Sequence, residues 1–460
     1  MKNKYFGTDG FRGEVNVNLT AEHAFKIGRF LGWYFKSPLC KTDKVNGRPR
    51  IVIGKDTRRS SYMLEYALCS GIISSGGDAY ILHVTTTPSV SYVVRTEGFD
   101  CGIMITASHN PFYDNGIKVI NRYGEKFDDN ATALIESYID GDLKSLGVEG
   151  DDLPFGKREE IGAIVDFVSG RNRYVGYLIS LASHSYKHLK IGLDCANGAV
   201  WSIARSVFDA LGAQTYIVGD TPNGTNINEG CGSTHIENLC RLVKEQHLDV
   251  GFAFDGDADR CIAVDENGNE VDGDKMMYIL ARRLKSRGML KDDTVVATIM
   301  SNSGFVNSLK GLGLKCELTT VGDRFVYERM QQKDYDLGGE QSGHIILKKY
   351  ATTGDGLLTA IMIAEEICDR KTTLSKLGEP VFLYPQFTQN VRVEDKKAAV
   401  SNKAVLQSVK EIEDKIDGKG RVLLRESGTE PVIRVMVECE NEQKCREYAA
   451  FIAETITDNI

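Results

Sequence analysis

An apolar run in this chain ends abruptly in a serine, Ser108. The stretch from Gly102 to Lys118 reads Gly-Ile-Met-Ile-Thr-Ala-Ser-His-Asn-Pro-Phe-Tyr-Asp-Asn-Gly-Ile-Lys. A serine hydroxyl can act as a nucleophile or phosphate carrier if its proton is removed and the developing charge is stabilised. The pattern predicts a buried strand that delivers Ser108 into a polar loop, with Lys118 as a source of positive charge. The alternative is a plain strand-to-loop connection whose Ser and Asn only cap a turn.

Three carboxylates follow a second apolar run, in Asp255-Gly-Asp-Ala-Asp-Arg260. Asp255, Asp257 and Asp259 form an oxygen-rich set that suits a hard cation. Each close pair of these charges would cost roughly 1–4 kcal/mol, and a divalent cation would remove that cost. Three alternatives stay open: a solvated acidic turn, an EF-hand loop ending at Glu266, and an aspartate nucleophile of the haloacid-dehalogenase type. The EF-hand would need a glycine where Arg260 stands and a helix before the loop.

Two glycine-containing turns lie later in the chain. In Gly338-Gly-Glu-Gln-Ser-Gly-His344, the side chains of Glu340, Ser342 and His344 alternate and could face one side if the segment is extended. A carboxylate, a hydroxyl and an imidazole suit the hydroxyl groups of a sugar, although a polar hairpin tip explains the pattern equally well.

The last turn is Arg425-Glu-Ser-Gly-Thr-Glu-Pro431, followed by Arg434. Ser427 and Thr429 offer hydroxyl donors, Gly428 allows the backbone N–H groups to form a concave anion site, and Arg425 can bind a phosphate with two hydrogen bonds. The alternative is a hairpin turn with a surface ion pair. Two smaller loops carry arginines, Arg12 between glycines and Arg324 after a strand, and either could be a simple turn.

Apolar strand-like and amphipathic helix-like runs alternate through most of the chain, which predicts an α/β protein. The pattern indicates a linker at 147–154, a hairpin at 266–269 and a long helix at 354–371. After residue 380 the order becomes strand, helix, strand, strand, helix, which predicts a small α+β domain. We expect four domains, at 1–154, 155–253, 254–374 and 375–460, with the metal loop at the start of the third.

Composition limits the class of protein. The 460 residues are 42% hydrophobic and 26% charged, as in ordinary globular proteins. A net charge of −8 argues against nucleic acid or an anionic membrane as a partner. The start has no apolar signal segment, and no apolar run approaches the ~20 residues of a membrane span. The eleven cysteines form no Cys-x-x-Cys pair, and Cys101, Cys195 and Cys261 are expected to be buried. We expect a cytoplasmic protein with reduced thiols.

The four motifs, in this order, resemble those of the α-D-phosphohexomutases, the phosphoglucomutase/phosphomannomutase superfamily. The runs Gly-Thr-Asp-Gly-Phe-Arg-Gly at 7–13 and Gly-Glu-Gln-Ser-Gly-His at 339–344 most resemble its amino-sugar branch. The resemblance implies a heart-shaped fold of three related α/β domains and a C-terminal α+β domain of the TATA-binding-protein-like class.

The resemblance also implies residue roles. Ser108 would be the phosphorylated serine, and its phosphate would bind Mg²⁺ together with Asp255, Asp257 and Asp259. Glu340 and Ser342 would contact sugar hydroxyls. The remaining roles would be a phosphate site at Arg425, Ser427, Gly428, Thr429 and Arg434, and a transfer site lined by Arg12, His109, Lys118, Arg260 and His344.

The implied activity is the interconversion of glucosamine 6-phosphate and glucosamine 1-phosphate through a hexosamine 1,6-bisphosphate, by a monomer or homodimer. The bisphosphate must turn end over end, so we expect a mobile tail domain hinged near Pro380. Glucose or mannose phosphates are alternative substrates, and Gln341 is the main residue favouring the amino sugar. Two other classes stay open: a sugar phosphatase with Asp255 as nucleophile, and a non-catalytic Ca²⁺ or sugar-phosphate binding protein.

Overall fold

The computed structural model describes residues 4–7, 9–41, 43–426 and 431–459. The chain forms two compact units. The first comprises Met1–Ile299 and Glu317–Gly378, and the second comprises Met300–Cys316 and Glu379–Ile460. Within the described ranges, no helix has both the length and the apolar character needed to cross a membrane.

A seven-stranded sheet holds the serine motif. Its strand order is β1-β2-β6-β5-β3-β4-β7. The strands are β1 Phe6–Gly7, β2 Gly10–Glu14, β3 Arg50–Lys55, β4 Asp78–Val84, β5 Cys101–Ile105, β6 Asp114–Asn121 and β7 Ile164–Asp166, and the helices are α1 Ala21–Tyr34, α2 Arg59–Ser74, α3 Thr87–Thr96 and α4 Asp129–Ile139. Strand β5 is buried along its whole length between parallel β3 and antiparallel β6, which explains its unbroken apolar sequence.

The stretch 147–154, which we expected to be a linker, packs against the first sheet's own helices. The side chain of Arg29 on α1 is fully buried and donates hydrogen bonds to the carbonyl oxygens of Leu153 and Pro154. The chain then returns as β7, which pairs in parallel with β4. The first sheet therefore continues past residue 154, where we had expected its domain to end.

A five-stranded sheet, in the order β12-β11-β10-β8-β9, holds the acidic motif. Its strands are β8 Lys190–Asp194, β9 Gln214–Val218, β10 Val250–Phe254, β11 Cys261–Val264 and β12 Glu270–Val271, with helices α5 Val168–Leu181, α6 Ala204–Ala210 and α7 Glu237–Gln246. The expected boundary at 253/254 cuts β10, and both strands flanking the acidic loop pair within this sheet. The acidic loop thus connects two neighbouring strands of the second sheet and does not begin a third domain. The expected hairpin at 266–269 is confirmed as the turn between β11 and β12.

A four-stranded sheet follows, in the order β14-β13-β15-β16. Its strands are β13 Thr294–Thr298, β14 Lys315–Thr319, β15 Leu337–Gly339 and β16 Ile345–Leu347, and the helices of this region are α8 Gly273–Ser286, α9 Ser303–Gly311, α10 Asp323–Lys333, α11 Gly356–Arg370 and α12 Leu374–Gly378. The expected long helix is confirmed as α11, which is buried along nearly all its length.

The second unit contains α9 and the tail of the chain. The tail consists of β17 Gln386–Arg392, α13 Lys396–Ser401, α14 Lys403–Ile416, β18 Arg421–Glu426, β19 Val432–Glu438 and α15 Glu442–Asn459. This is the predicted order, except that two helices follow the first strand where one was expected. Its strands pair antiparallel in the order β17-β19-β18, and α14 and α15 cover the sheet with an apolar core. The buried carboxylate of Glu438 accepts hydrogen bonds from Ser303 at the start of α9 and from Arg421.

Candidate functional site

The loop between β5 and β6 presents Ser108 to the acidic motif. Ser108 is almost fully buried and has a φ of 52°, in the left-handed region that serine rarely adopts. Its backbone N–H donates to Thr106 Oγ1, and its hydroxyl donates to Asp255 Oδ2 at 2.5 Å. His109 Nδ1 lies 3.3 Å from the same hydroxyl. The serine hydroxyl and the first carboxylate of the acidic loop are therefore in direct contact, although 147 residues separate them.

Two side chains that the sequence motifs did not include hold this loop in place. Arg58 is fully buried, and its Nη2 donates to the carbonyl oxygens of Ser108 at 3.0 Å and Asn110 at 2.7 Å, while its Nε donates to Asp114 at 3.0 Å. Asn228 donates to the same carbonyl oxygens of Ser108 and Asn110, at 2.9 and 3.1 Å. The loop is thus held from both the first and the second sheet.

The signal for Arg58 lay in the sequence, because it follows Asp56 at the end of a buried strand. That carboxylate accepts from the Arg58 N–H and from Ser61, and lies 3.4 Å from Arg58 Nη1. A buried arginine needs such a partner, so an Asp-x-Arg sequence after an apolar strand indicates a fixed guanidinium. Asn228 lies in a loop without a comparable signal.

The three carboxylates of the acidic loop converge as expected. Oxygen atoms of Asp255, Asp257 and Asp259 lie within 4.8 Å of one another, and all three residues are buried. Burial and the charges of Asp259 and Asp257 raise the pKa of Asp255 well above its ordinary value. Among the described residues, Asp257 Oδ1 and Asp259 Oδ1 have no hydrogen-bond donor. Buried carboxylate oxygens without donors fit a divalent metal site.

The EF-hand alternative is wrong. Glu266, which would close the calcium loop, lies in the β11–β12 hairpin and accepts hydrogen bonds from the N–H and hydroxyl of Ser375. A strand rather than a helix precedes the loop. The solvated-turn alternative is also wrong, because each of the three aspartates is at most 5% exposed.

Lys118 lies on β6 among carboxylates from two motifs. Its Nζ is 2.9 Å from Asp257 Oδ2, 3.2 Å from Asp259 Oδ2 and 3.3 Å from Asp9 Oδ2. Burial alone would lower the pKa of Lys118, but the carboxylates of Asp257, Asp9 and Asp259 outweigh it and hold the pKa well above its ordinary value. Lys118 is therefore a fixed positive charge at neutral pH.

The predicted transfer site also contains two arginines and two histidines, and the two histidines differ in their charge at neutral pH. Arg12 pairs with Asp9, and the Arg260 N–H donates to Asp255 Oδ1 at 3.2 Å. Burial and the charges of Arg260 and Arg12 lower the pKa of His109 to about 4, so this ring is neutral at pH 7.

His344 has the opposite charge state. Burial would lower its pKa, but Asp259, Asp323 and Glu340 raise the pKa of His344 to about 9. Its Nδ1 lies 3.7 Å from Asp259 Oδ1, which links the third motif to the acidic loop. A cavity of about 670 Å³ opens beside this group, and its walls include Asp9, Lys118, Asp259, Asp323, Arg324 and His344.

The third motif forms the tip of the β15–β16 hairpin, as its polar-turn alternative required. The Gly343 N–H donates to the Glu340 carbonyl, and the Glu340 N–H donates to the His344 carbonyl. Glu340 Oε1 accepts from the Gly322 N–H at 3.1 Å, and Ser342 is exposed. The Gln341 amide donates to Asp272 Oδ2 at 3.2 Å.

The fourth motif lies in the second unit. Arg425 on β18 and Arg434 on β19 are directly opposite one another in the antiparallel pair. Burial and the charge of Arg434 lower the pKa of Arg425. Two arginines on neighbouring strands give a concentrated positive charge suited to an anion. Ser427, Gly428 and Thr429 lie outside the described residues.

Four family models match the chain in consecutive segments. They describe the phosphoglucomutase/phosphomannomutase alpha/beta/alpha domain I at residues 3–145, domain II at 172–268, domain III at 272–382, and the C-terminal domain at 389–455. The chain belongs to the phosphoglucomutase/phosphomannomutase family. The predicted four-domain family fold is thereby confirmed, and the domain II match includes the acidic loop.

Curated relatives match nearly the whole chain. The phosphoglucosamine mutase of Lachnospira eligens is 54% identical over 98% of this chain and 98% of its own length. The phosphoglucosamine mutase of Oceanobacillus iheyensis is 45% identical over 99% of both chains.

Solved structures support the fold. A phosphoglucomutase/phosphomannomutase family protein from Burkholderia thailandensis has a TM-score of 0.79 at 21% identity, covering 100% of this chain and 98% of its own. Aspergillus fumigatus N-acetylphosphoglucosamine mutase, solved in complex with GlcNAc-6P and magnesium, has a TM-score of 0.70 at 17% identity, covering 100% of this chain and 96% of its own.

Proposed function

We propose that this chain is a phosphosugar mutase that interconverts glucosamine 6-phosphate and glucosamine 1-phosphate through a phosphoserine at Ser108. The observation that carries the proposal is the 2.5 Å contact between the Ser108 hydroxyl and Asp255 in a buried triple-carboxylate group. The amino-sugar substrate is supported by the relatives named phosphoglucosamine mutase, at 45–54% identity.

The proposed cofactor is Mg²⁺, held by Asp255, Asp257, Asp259 and an oxygen of the Ser108 phosphate. The donor set supports this choice, because carboxylate and phosphate oxygens are the ligands Mg²⁺ prefers. When bound, the cation neutralises charge on the phosphate and polarises it for transfer. Lys118 contacts two of the same carboxylates and holds their second oxygens at fixed positions.

In the proposed reaction, the sugar's free hydroxyl attacks the phosphorus on Ser108, the bond from phosphorus to Ser108 Oγ breaks, and a 1,6-bisphosphate forms. The sugar hydroxyl loses its proton and Ser108 Oγ gains one. Phosphoryl transfer depends mainly on positioning and on neutralisation of charge. The fixed charges of Lys118, Arg12 and Arg260 favour an anionic ligand beside Ser108. His344, protonated at neutral pH, is suited to donate a hydrogen bond or a proton, whereas neutral His109 can accept one.

The other proposed ligand contacts lie outside the serine loop. Glu340 and Ser342 would bind sugar hydroxyls. Arg425 and Arg434, with Ser427, Gly428 and Thr429, would bind the phosphate that is not being transferred. After the first transfer the bisphosphate reorients, so that Ser108 recovers the other phosphate and the product leaves.

The test is a phosphate assay on Ser108 together with a substrate panel. Protein incubated with a hexose 1,6-bisphosphate should carry one acid-stable phosphate, mapped by peptide mass spectrometry to Ser108. Ser108→Ala should carry no such phosphate, and its kcat should fall at least about a thousandfold, because the substitution removes the covalent carrier. Ser180→Ala, at an exposed serine on α5, is the matched control.

Two outcomes would overturn the proposal in different ways. An acid-labile phosphate on Asp255 would identify the phosphatase alternative. A preference of about tenfold or more for glucose or mannose 6-phosphate, equivalent to about 1.4 kcal/mol in transition-state binding, would keep the mutase but reject the amino-sugar substrate.

A further inference from the structure

Two cysteines of the second unit lie side by side and belong to none of the four motifs. Cys439 directly follows β19, and Cys445 lies near the start of α15. Their Sγ atoms are 2.9 Å apart. A small movement of either side chain would bring the two Sγ atoms to the ~2.05 Å separation of a disulfide bond.

We propose that Cys439 and Cys445 form a reversible disulfide when the protein meets a peroxide. In the first step, the thiolate of one cysteine attacks an oxygen of hydrogen peroxide, the O–O bond breaks and a sulfenic acid forms. The hydroxide that leaves takes up the proton released by the thiol and becomes water. In the second step, the other thiol attacks the sulfenic sulfur and displaces a second water. Overall, the two thiols lose two protons and two electrons, and one hydrogen peroxide takes them up and is reduced to two waters.

The surroundings of the two thiols set the order of these steps. Cys439 keeps 5% of its surface exposed, next to the exposed residues Glu440 and Asn441, whereas Cys445 is fully buried. Burial and the neighbouring Cys439 raise the pKa of Cys445 to about 12. Because Cys439 is the more accessible of the two thiols, it reacts with the peroxide first and Cys445 resolves the sulfenic acid.

The disulfide would exchange weak hydrogen bonds for a covalent link. Cys445 Sγ donates to the Pro385 carbonyl at 3.3 Å, and Cys439 Sγ donates to the Asn441 carbonyl at 3.1 Å. A disulfide has no S–H, so both donors disappear, while the Cys439 N–H still donates to Pro385. The disulfide would instead link the end of β19 covalently to the start of α15.

The sequence allows a direct mass-spectrometric test on the full-length protein. Lys444 lies between the two cysteines, so trypsin separates them into Val435–Lys444 and Cys445–Arg446. The reduced protein is treated with hydrogen peroxide, its free thiols are blocked with iodoacetamide, and it is digested under denaturing conditions. We expect a cross-linked peptide that joins these two fragments and disappears after treatment with dithiothreitol.

Two serine variants and a thermal measurement complete the test. Cys439→Ser and Cys445→Ser should each lack the cross-linked peptide, and oxidation should raise the Tm of the native protein by a few degrees but not that of either variant. Recovery of both cysteines as alkylated thiols, as separate sulfinic acids, or as disulfides with other cysteines would overturn the proposal.

Discussion

Arg58 Nη2 lies 3.0 Å from the backbone oxygen of Ser108 and donates a hydrogen bond to it. The same nitrogen reaches Asn110, and Arg58 Nε reaches Asp114, so one guanidinium binds three carbonyl groups of the loop. Ser108 itself has a backbone conformation that is uncommon for serine. The arginine therefore helps to keep the hydroxyl directed at Asp255.

Arg58→Lys should lower kcat by roughly tenfold to a hundredfold with a smaller effect on KM, because misplacement of a reacting group by about 1 Å can cost that much. An ammonium cannot reproduce the planar fork that binds several carbonyl groups at once. The fraction of Ser108 phosphorylated by a 1,6-bisphosphate should fall in parallel. Steady-state kinetics and phosphopeptide analysis measure both effects.

Arg59→Lys is the matched control, since this neighbouring side chain is exposed. Asn228→Ala should reproduce the loss of kcat less strongly, because Arg58 still binds the same carbonyl groups. A purely structural role would lower Tm and leave the kcat of the folded enzyme unchanged, and that result would reject the positioning role of Arg58.

Asp255→Asn should stabilise the metal-free protein and abolish its stabilisation by Mg²⁺. Without metal, Asp255 is buried beside Asp257 and Asp259, and the pKa of Asp255 is raised by that burial and by those charges. Removing one charge relieves the repulsion, whereas in Mg²⁺ the wild type gains binding energy that the variant lacks. Thermal unfolding with EDTA and with Mg²⁺ should therefore give opposite orders of Tm.

Asp151→Asn, at an exposed position, should follow the wild type in both conditions. If Asp255→Asn were less stable than the wild type in EDTA, the repulsion argument would be wrong.

Lys118→Met should lower the free energy of unfolding of the metal-free protein by about 3–5 kcal/mol, the usual cost of removing one partner from a buried ion pair. The substitution leaves Asp9, Asp257 and Asp259 without their shared cation. Mg²⁺ should restore part of the loss, because at the proposed site it would neutralise two of these carboxylates. Chemical denaturation with and without Mg²⁺ tests this, and Lys187→Met, at an exposed lysine, is the control.

Asp355→Asn should remove a pH dependence of stability. Asp355 caps α11, and its carboxylate accepts from the Leu358 N–H and the buried Tyr174 hydroxyl. Burial raises the pKa of Asp355 from 3.8 to about 6. A carboxyl with a raised pKa in the folded state contributes stability below its unfolded pKa, and this contribution is lost as the pH rises through about 6.

The wild type should therefore lose stability relative to Asp355→Asn between about pH 4 and 6, by roughly 2–3 kcal/mol in total. Thermal unfolding at a series of pH values measures the difference. Asp128→Asn, at the exposed cap of α4, should show no comparable divergence. Parallel curves for the wild type and Asp355→Asn would contradict the prediction.

The sequence predicted the contents of the site better than the limits of the sheets. Apolar runs that end in polar loops predicted β5 and β10, and the carboxyl ends of strands are where α/β proteins place their ligands. Local pattern carries no information on long-range pairing, however. The return of the chain as β7 pairs Ile164 with Ala79, 85 residues earlier, whereas the continuation of β10 into β11 pairs Cys261 with Phe254, only 7 residues earlier. Only the second pairing could have been recognised as a hairpin.

The residues missed by the sequence share one property. Arg58 and Asn228 both bind backbone oxygens, and a carbonyl group leaves no mark in a sequence. The Asp-x-Arg spacing indicated that Arg58 would be fixed, but not which loop it would bind. Gln341, which we had used to favour the amino sugar, turns its amide to Asp272 at the cap of α8. The types of residue in a motif indicated a site only where the side chains themselves are the candidate ligands, as in the acidic loop.

Gly256, between the first two aspartates of the acidic loop, sets the spacing of the site. A Cβ added there would lie 2.4 Å from the Ser108 carbonyl oxygen, a separation that real Cβ atoms do not adopt. Even alanine would therefore push the backbone of Ser108 away from the acidic loop that carries Asp255. We therefore expect a substitution at residue 256 to impair the proposed phosphate transfer without altering any of the side chains proposed to take part in it.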